Sequence, residues 1–506
     1  MREVDRWAIE ELGVAGLELM ERAGAAVAQA VERLTPDGAV TVVCGKGNNG
    51  GDGLVVARLL QEAGHEVRVL CTNPLKQFSG DAQTNLQRLP GPRPICPKPS
   101  AWAAIDTGEW GAVVVDALLG TGFDGEPHGA VADAIEAINH ASVPVVSVDI
   151  PSGVDASSGE VAGSAVRATV TVTFHAAKPG LWIRPGKALA GVVETADIGV
   201  PRGAPIEASV GLIDDAIGEL MPRREAASTK FTSGHVLVVG GSPGLTGAPT
   251  LAAHGAMRAG AGYVTACIPA SLEPTVAARS APELMTVALP DVDGALAVAG
   301  VARVIEASAR GGAIVLGPGL GRADGAAQFA VRLAREADVP LVLDADGLNA
   351  HAGRLSRLAD RDAPTVLTPH AGELGRLLDL DSAEIEHSRL AHARAAAATS
   401  GAVVVLKGDD TLVAAPDGTV AVSAGASPAL ATAGTGDVLG GTIAALLSGG
   451  LDAFESACAG VWLHARAGRL AAQRFGGAEG VTASDVIAAL APARTVSAGM
   501  EEGGDD

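Results

Sequence analysis

Two glycine-rich stretches of this 506-residue sequence each carry an aspartate, CGKGNNGGDG at 44–53 and ATAGTGD at 431–437. Each is followed by a helical pattern, LVVARLLQEAG in the first case and VLGGTIAALL in the second. Small residues opening a helix let several backbone N–H groups converge on one anion, and the helix dipole favours negative charge there. The chemistry suggested is phosphate recognition. In the second stretch Gly434, Thr435 and Gly436 open the helix and Asp437 sits on its first turn. A carboxylate at that place can take the proton of a hydroxyl that attacks phosphorus. An ordinary helix cap with an acidic first turn, worth about 1 kcal/mol, would use the same letters. No GxxxxGK[ST] segment occurs, so a P-loop is not indicated.

The first stretch also spells GxGxxG through Gly45, Gly47 and Gly50. A nicotinamide dehydrogenase of Rossmann type would place Asp or Glu at the end of the second strand to hold a ribose hydroxyl. That strand reads EVRVLCTN, with Glu66 at its beginning and Cys71, Thr72 and Asn73 at its end. The confirming acid is missing.

Further marked segments fall after apolar runs. In the first half they are DALLGTGFDGE (116–126), DIPSGVD (149–155) and HAAKPGL (175–181). In the second they are GGSPGLTGA (240–248), GPGLG (317–321), LDADGLN (343–349), TPHAGE (368–373) and KGDDT (407–411). Each alone is compatible with turn chemistry, because Gly, Asn, Asp and Ser populate tight turns for steric reasons. Together they matter more, since ligands of open α/β sheets sit at the carboxyl ends of the strands.

The elements that must position these loops follow from periodicity. Residues 2–34 read as helix in two pieces around GVAG, with Leu17, Met20, Gly24, Val27 and Val31 on one face. Short Val-rich runs then alternate with helical stretches, which implies parallel sheets covered on both faces. The fold class expected is α/β in two domains, the first a Rossmann-like doubly wound parallel sheet. Pro- and Gly-rich text around 199–225 marks the boundary, giving domains at 1–210 and 221–495. The acidic end, 496–506, has no periodicity and reads as a disordered tail.

Bulk composition limits the partners. A net charge of −21 repels both a phosphate backbone and an anionic membrane, so neither nucleic acid nor membrane is expected. Five scattered cysteines without a CxxC pair suggest neither a disulfide framework nor a zinc site. The first residues mix charges and no run approaches the ~18 apolar residues of a span, so a soluble, cytoplasmic protein is expected.

The series LMERAG, GNNGGDG, DALLGTG and DIPSG resembles the N-terminal domain of the NAD(P)H-hydrate epimerases. That resemblance implies that Asn48, Asn49, Gly50, Gly51 and Asp52, with Gly120, Thr121, Gly122, Phe123, Asp124, Gly125 and Glu126, bind the hydrated cofactor. It also implies a potassium ion on Asn49, Asp116 and Ser152, an oxygen set that suits a hard cation better than zinc. Asp149 is the candidate acid/base and substrate contact, with Lys178 as helper; a turn cap is the alternative for Asp149. Lys46 departs from the small residue or proline usual in that family.

From about 226 to 490 the second set of motifs resembles the ribokinase-like fold and, within it, the ADP-dependent NAD(P)H-hydrate dehydratases. The resemblance implies hydrate contacts at Ala248, Gly319, His370 and Asp437, with Asp437 as the base. It places the adenine nucleotide on Lys407, Gly408, Asp409, Asp410, Thr411 and Gly436. Magnesium is implied by the nucleotide, with carboxylates such as Glu373 reaching it indirectly, and ADP is the co-substrate. Leu245, Ser427 and Ala429 depart from the family's usual aromatic, Asn and Gly, and His370 is compatible with a plain loop histidine. The small-molecule substrates expected are the hydrates of NADH and NADPH together with ADP, and a homo-oligomer is expected. The alternative is a small-molecule kinase of the same fold, for a sugar or hydroxymethylpyrimidine, fused to a non-catalytic nucleotide-binding module.

Overall fold

A computed structural model of the chain describes residues 2–201 and 203–495. The expected tail, 496–506, lies outside them. The chain divides into two compact units between Ala208 and Ser209.

The first unit holds one six-stranded sheet of β1 (Val40–Cys44), β2 (Val67–Cys71), β3 (Val113–Ala117), β4 (Val145–Val148), β5 (Val170–Phe174) and β6 (Val192–Ala196). Their order is β2-β1-β3-β4-β5-β6 and every pairing is parallel. All five residues of β1 and of β3 are buried. Two faces must therefore be covered by helices, and each fully buried Val contributes about 1.5–3 kcal/mol. Because β1 pairs with β2 on one side and β3 on the other, the loops after β1 and β3 part and leave a crevice at the sheet edge.

The helix Asn48–Glu62 starts at that crevice. A Cβ on Gly50 would stand 1.8 Å from the Gly45 carbonyl oxygen, and one on Gly53 would stand 2.5 Å from Ala117 Cβ. These glycines let the helix lie against the loops and strand beneath it. The N-terminal helix Gly16–Leu34 buries Met20, Gly24, Val27 and Val31, as its pattern predicts, whereas Leu17 is only half-buried and Leu19 takes the covered position.

The second unit is built on a ten-stranded sheet. Its strands are β7 (Val210–Ile213), β8 (His235–Val239), β9 (Tyr263–Pro269), β10 (Met285–Leu289), β13 (Ala313–Leu316), β14 (Leu341–Leu343), β15 (Thr365–Leu367), β16 (Val403–Leu406), β17 (Leu412–Ala414) and β18 (Val420–Ser423). A small hairpin of β11 (Asp291–Val292) and β12 (Ala295–Leu296) stands apart. The order is β10-β9-β8-β13-β14-β15-β16-β17-β18-β7, parallel except for the antiparallel pairs β16–β17 and β17–β18. Residues 210–213, inside the stretch that reads as a boundary, form the edge strand β7, which pairs with β18 through Val210 and Val420.

The switch in strand order here lies at β8, between β9 on one side and β13 on the other, and again sets two glycine loops opposite each other. The helix Thr435–Ser448 is buried almost all round, which fits its uniformly apolar sequence. It packs closely on the helix Gly247–Ala259, since a Cβ on Gly441 would stand 1.9 Å from the Ala252 carbonyl oxygen. Among the described residues no helix is long and apolar enough to cross a membrane.

Candidate functional sites

In the first unit a cleft of about 690 Å³ opens at the β1/β3 switch point. Its wall includes Asn48, Asn49, Asp52, Gly120, Thr121, Gly122, Phe123 and Asp149, so the loops after β1, β3 and β4 meet as expected. Gly50 and Gly51 lie beneath the wall and serve packing. Asp124, Gly125 and Glu126 are exposed and lie beyond the cleft lining, with Glu126 beside Gly163.

Asp149 has φ of +67°, an uncommon backbone conformation for a residue with a side chain. Its Oδ1 accepts from Lys178 Nζ at 2.6 Å, Thr173 Oγ1 at 3.2 Å and the Phe174 N–H at 3.3 Å, and none of these donors is on Oδ2. Lys178 is 3% exposed and its ammonium also donates to the Phe174 carbonyl at 2.7 Å. A buried ammonium is thus fixed on one oxygen of the carboxylate while the group still faces the cleft. Two more carboxyls join them. Burial, then the charge of Asp149, pushes the Asp52 carboxyl well above the carboxylate range, and the same two causes raise Asp5. Asp5, from the short helix Arg2–Arg6, has no sequence signal beyond its place in a helical pattern.

Asp116 is fully buried at the end of β3. Its carboxylate accepts from Ser152 Oγ at 2.6 Å, Ser152 N–H at 2.9 Å, Ser147 Oγ at 2.9 Å and Leu118 N–H at 3.3 Å. These donors are neutral, and burial is what raises its pKa. Asn49 Nδ2 donates to the Leu119 carbonyl at 2.9 Å, and Ser152 Oγ reaches the same oxygen at 3.3 Å. Asn49 and Ser152 thus meet at the Leu119 carbonyl, and Ser152 links that point to the Asp116 carboxylate.

In the second unit the loops after β8 and β13 meet through Gly319, whose φ is +60° and whose Cβ would stand 3.2 Å from Ala248 Cβ and 2.4 Å from the Leu245 carbonyl oxygen. Ser242 Oγ ties the Gly319 carbonyl at 2.9 Å. Gly434 caps the helix Thr435–Ser448 with φ of +90°, and Thr435 Oγ1 folds back onto the Leu430 and Thr432 carbonyls. Lys407 Nζ, from the end of β16, stands 3.5 Å from the Cβ position of Gly436. The ammonium and the helix N-terminus thus present positive charge to the same place.

Asp437 lies there too. Burial first, then the charge of Asp344, raises its pKa to about 7, against the opposing pull of Lys407. A carboxyl held near neutrality is poised to accept a proton. His370 caps the helix Ala371–Leu378: its Nδ1 accepts from the Gly372 N–H at 3.0 Å while Glu373 Oε2 accepts from the His370 N–H at 2.9 Å. The ring is still 55% exposed, so capping and ligand contact are compatible. Glu373 is buried and 3.7 Å from Lys407 Nζ.

The KGDDT loop divides its residues. Gly408 and Asp409 are exposed, and Thr411 Oγ1 closes the turn onto the Gly408 carbonyl at 2.7 Å. Asp410 is turned inward, where Arg389 Nε donates to its Oδ2 at 3.0 Å. Arg389, 1% exposed, also reaches the Leu406 and Lys407 carbonyls, so it holds the loop from below. Neither Arg389 nor Asp344 is recognisable as a site residue from the sequence, although LDADGLN places an acid at a strand end.

The family described as NAD(P)H-hydrate dehydratase matches residues 236–492, and the family described as YjeF-related protein N-terminus matches 16–180. The bifunctional NAD(P)H-hydrate repair enzyme Nnr of Moorella thermoacetica is 41% identical over 488 residues, covering 94% of this chain and 92% of the relative. The enzyme of the same name from Salinibacter ruber is 40% identical over 502 residues, covering 94% and 91%. The solved ADP/ATP-dependent NAD(P)H-hydrate dehydratase of Bacillus subtilis, co-crystallised with ATP and Mg2+, is 30% identical with a TM-score of 0.49, covering 57% of this chain and 98% of its own.

Proposed function

The chain belongs to the family of bifunctional NAD(P)H-hydrate repair enzymes, and from that premise we propose how its residues divide the work. The activity is the interconversion of the R and S hydrates of NADH and NADPH, and dehydration of the S form at the expense of ADP, giving AMP and phosphate. Family membership along both halves leaves the lone kinase with a non-catalytic module without support.

In the first unit Asp149 is the acid/base. Carbon 6 of the hydrated ring carries both a hydroxyl and the ring nitrogen, so inversion there needs one of those bonds to break. Asp149 takes the hydroxyl proton as the oxygen forms a carbonyl at carbon 6 and the carbon–nitrogen bond opens with its electron pair left on nitrogen. That pair attacks the other face of the carbonyl and the proton returns to the oxygen. Lys178, 2.6 Å from its Oδ1, holds the carboxylate in place and offsets its charge. Asn48, Asp52 and the loop from Gly120 to Phe123 hold the nucleotide in the cleft.

A potassium ion suits Asn49, Asp116 and Ser152, because one buried carboxylate with amide, hydroxyl and Leu119 carbonyl oxygens close by offers oxygen ligands to a weakly charged hard cation. When bound, such an ion supplies positive charge that would order the loops after β3 and β4. Asp116 and Ser152 themselves already tie these loops together.

In the second unit Ala248, Gly319 and His370 seat the hydrate, and Lys407, Gly408, Asp409, Thr411 and Gly436 take the nucleotide, with Asp410 holding the loop from behind. Asp437 removes the proton from the carbon-6 hydroxyl as its oxygen attacks the β-phosphorus of ADP and AMP leaves. Phosphate then departs from carbon 6 with the bonding electron pair. Loss of a proton from carbon 5 restores the ring double bond. Lys407 and the amides at Gly434 to Gly436 stabilise the charge on the transferring group. Magnesium, carried with the nucleotide, would neutralise its phosphates; Glu373 is near enough to Lys407 to act on that region through water.

The observation that carries the dehydratase assignment is the approach of Lys407 Nζ to Gly436 beside a carboxyl whose pKa is about 7. The test is incubation with mixed hydrate epimers and ADP or ATP, following recovery of nicotinamide absorbance. Full recovery needs both activities. Recovery that stops at one epimer sinks the epimerase assignment, and none with either nucleotide sinks the dehydratase. A cytoplasmic setting is supported by five unbridged cysteines, four of them buried. A homo-oligomer is our expectation for its assembly, to be read by light scattering.

A further inference from the structure

Asp344 follows β14 and is 1% exposed. Its Oδ1 accepts from Thr368 Oγ1 at 2.8 Å and from Lys407 Nζ at 3.1 Å. Thr368 follows β15 and Lys407 follows β16, so one carboxylate ties the carboxyl ends of three neighbouring strands. Its Oδ2 stands 3.6 Å from the Cβ position of Gly440, one turn along the helix that carries Asp437.

We propose that Asp344 is a positioning residue for phosphoryl transfer, fixing the Lys407 ammonium over the N-terminus of the helix Thr435–Ser448 and away from Asp437. The proposal rests on the dehydratase reading above. Lysine has a flexible four-carbon stem and a rotatable ammonium, so its position must be imposed from outside. A buried carboxylate imposes it strongly, because its own desolvation is offset only while a cation stays beside it. One of the three ammonium donors is used in this way and others remain for a phosphate oxygen. Without Asp344 the anions left near Lys407 are Glu373, at 3.7 Å, and Asp437. Pairing with Asp437 would withdraw the cation from the phosphoryl group and occupy the carboxylate that must accept a proton.

The test uses the full chain with the S hydrate and ADP. Asp344→Asn keeps the size and an oxygen for Thr368 but removes the charge. It is expected to lower kcat for dehydration about 10²-fold, the cost of a misplaced group, while KM for the hydrate moves less than about threefold. Epimer exchange by the same molecules should be unchanged, which shows that the chain is made and soluble. In a Lys407→Met background the same substitution should add less than about twofold, because Asp344 acts through the lysine. Thr368→Val, which loosens Asp344 without removing a charge, should lower kcat in the same direction by about tenfold and serves if Asp344→Asn does not fold. Unchanged kcat in both variants, a change confined to KM, or losses that multiply in the double variant would each overturn the proposal. If the unaltered chain exchanges epimers but never dehydrates, the dehydratase reading falls and takes this one with it.

Discussion

Lys178 Nζ lies 2.6 Å from Asp149 Oδ1, and Asp149 is held at a positive φ of +67° so that its carboxylate stays at the cleft while the lysine is buried behind it. The pair comes from the ends of β4 and β5, adjacent parallel strands whose loops diverge only after Val148 and Phe174. Asp149→Asn keeps the shape but cannot accept a proton. Epimer exchange, followed by chromatographic separation of the R and S hydrates, should fall about 10²–10⁴-fold. Dehydration of pure S hydrate should continue. Exchange at the original rate would return Asp149 to the role of a turn cap.

The pH dependence of dehydration follows from Asp437. Its carboxyl titrates at about 7 in the folded chain, so kcat/KM should be flat above that pH and fall about tenfold per unit below it. The stability consequence has the opposite sign to a salt-bridged aspartate. A carboxyl whose folded pKa is raised costs nothing while both states are protonated, below about pH 4, and costs progressively more up to about pH 7. Asp437→Asn should therefore raise Tm at pH 8 and leave it nearly unchanged at pH 4, while dehydration is lost. A fall in Tm at pH 8 would contradict this.

The buried carboxylate at Asp116 gives a cation prediction. Epimer exchange and the thermal stability of the chain should rise on adding potassium and respond less to lithium, which is small and strongly hydrated. Asp116→Asn should remove the potassium dependence of both readouts. Equal responses to every monovalent salt would mean screening rather than a site.

Arg389 and Asp410 are 1% and 0% exposed, so removing either leaves a buried charge. Arg389→Met should cost about 3–5 kcal/mol, read by urea denaturation, and should raise KM for ADP because the Lys407 and Leu406 carbonyls lose their donor. Arg389→Met with Asp410→Leu should recover much of the stability and little of the ADP affinity. Recovery of both together would show that the loop does not depend on Arg389 for its shape.

The family motifs and the alternation of Val-rich runs with helical stretches are local properties, and they were sufficient to place two α/β units and the strand-end rims at which the glycine loops gather. Strand polarity alone requires this: parallel strands separated by helices put their carboxyl-end loops on one edge. Of the partners that meet only across the sheet, Lys178 was legible as a helper to Asp149, whereas the tie between Asp344 and Lys407 was not. Asp344 and Lys407 are 63 positions apart, and Asp149 and Lys178 are 29 apart. Their contact depends on strand order and register, which no local pattern states. The same holds for direction. Asp409 and Asp410 are adjacent and chemically alike, yet one is exposed and the other is buried on Arg389, whose helix packs beneath the loop. Letter patterns fixed where charge would gather, since glycine and strand-end geometry are encoded residue by residue. Which carboxylate holds a lysine, which keeps its proton and which merely braces a loop was decided by packing, because desolvation and pairing are set by neighbours remote in the chain.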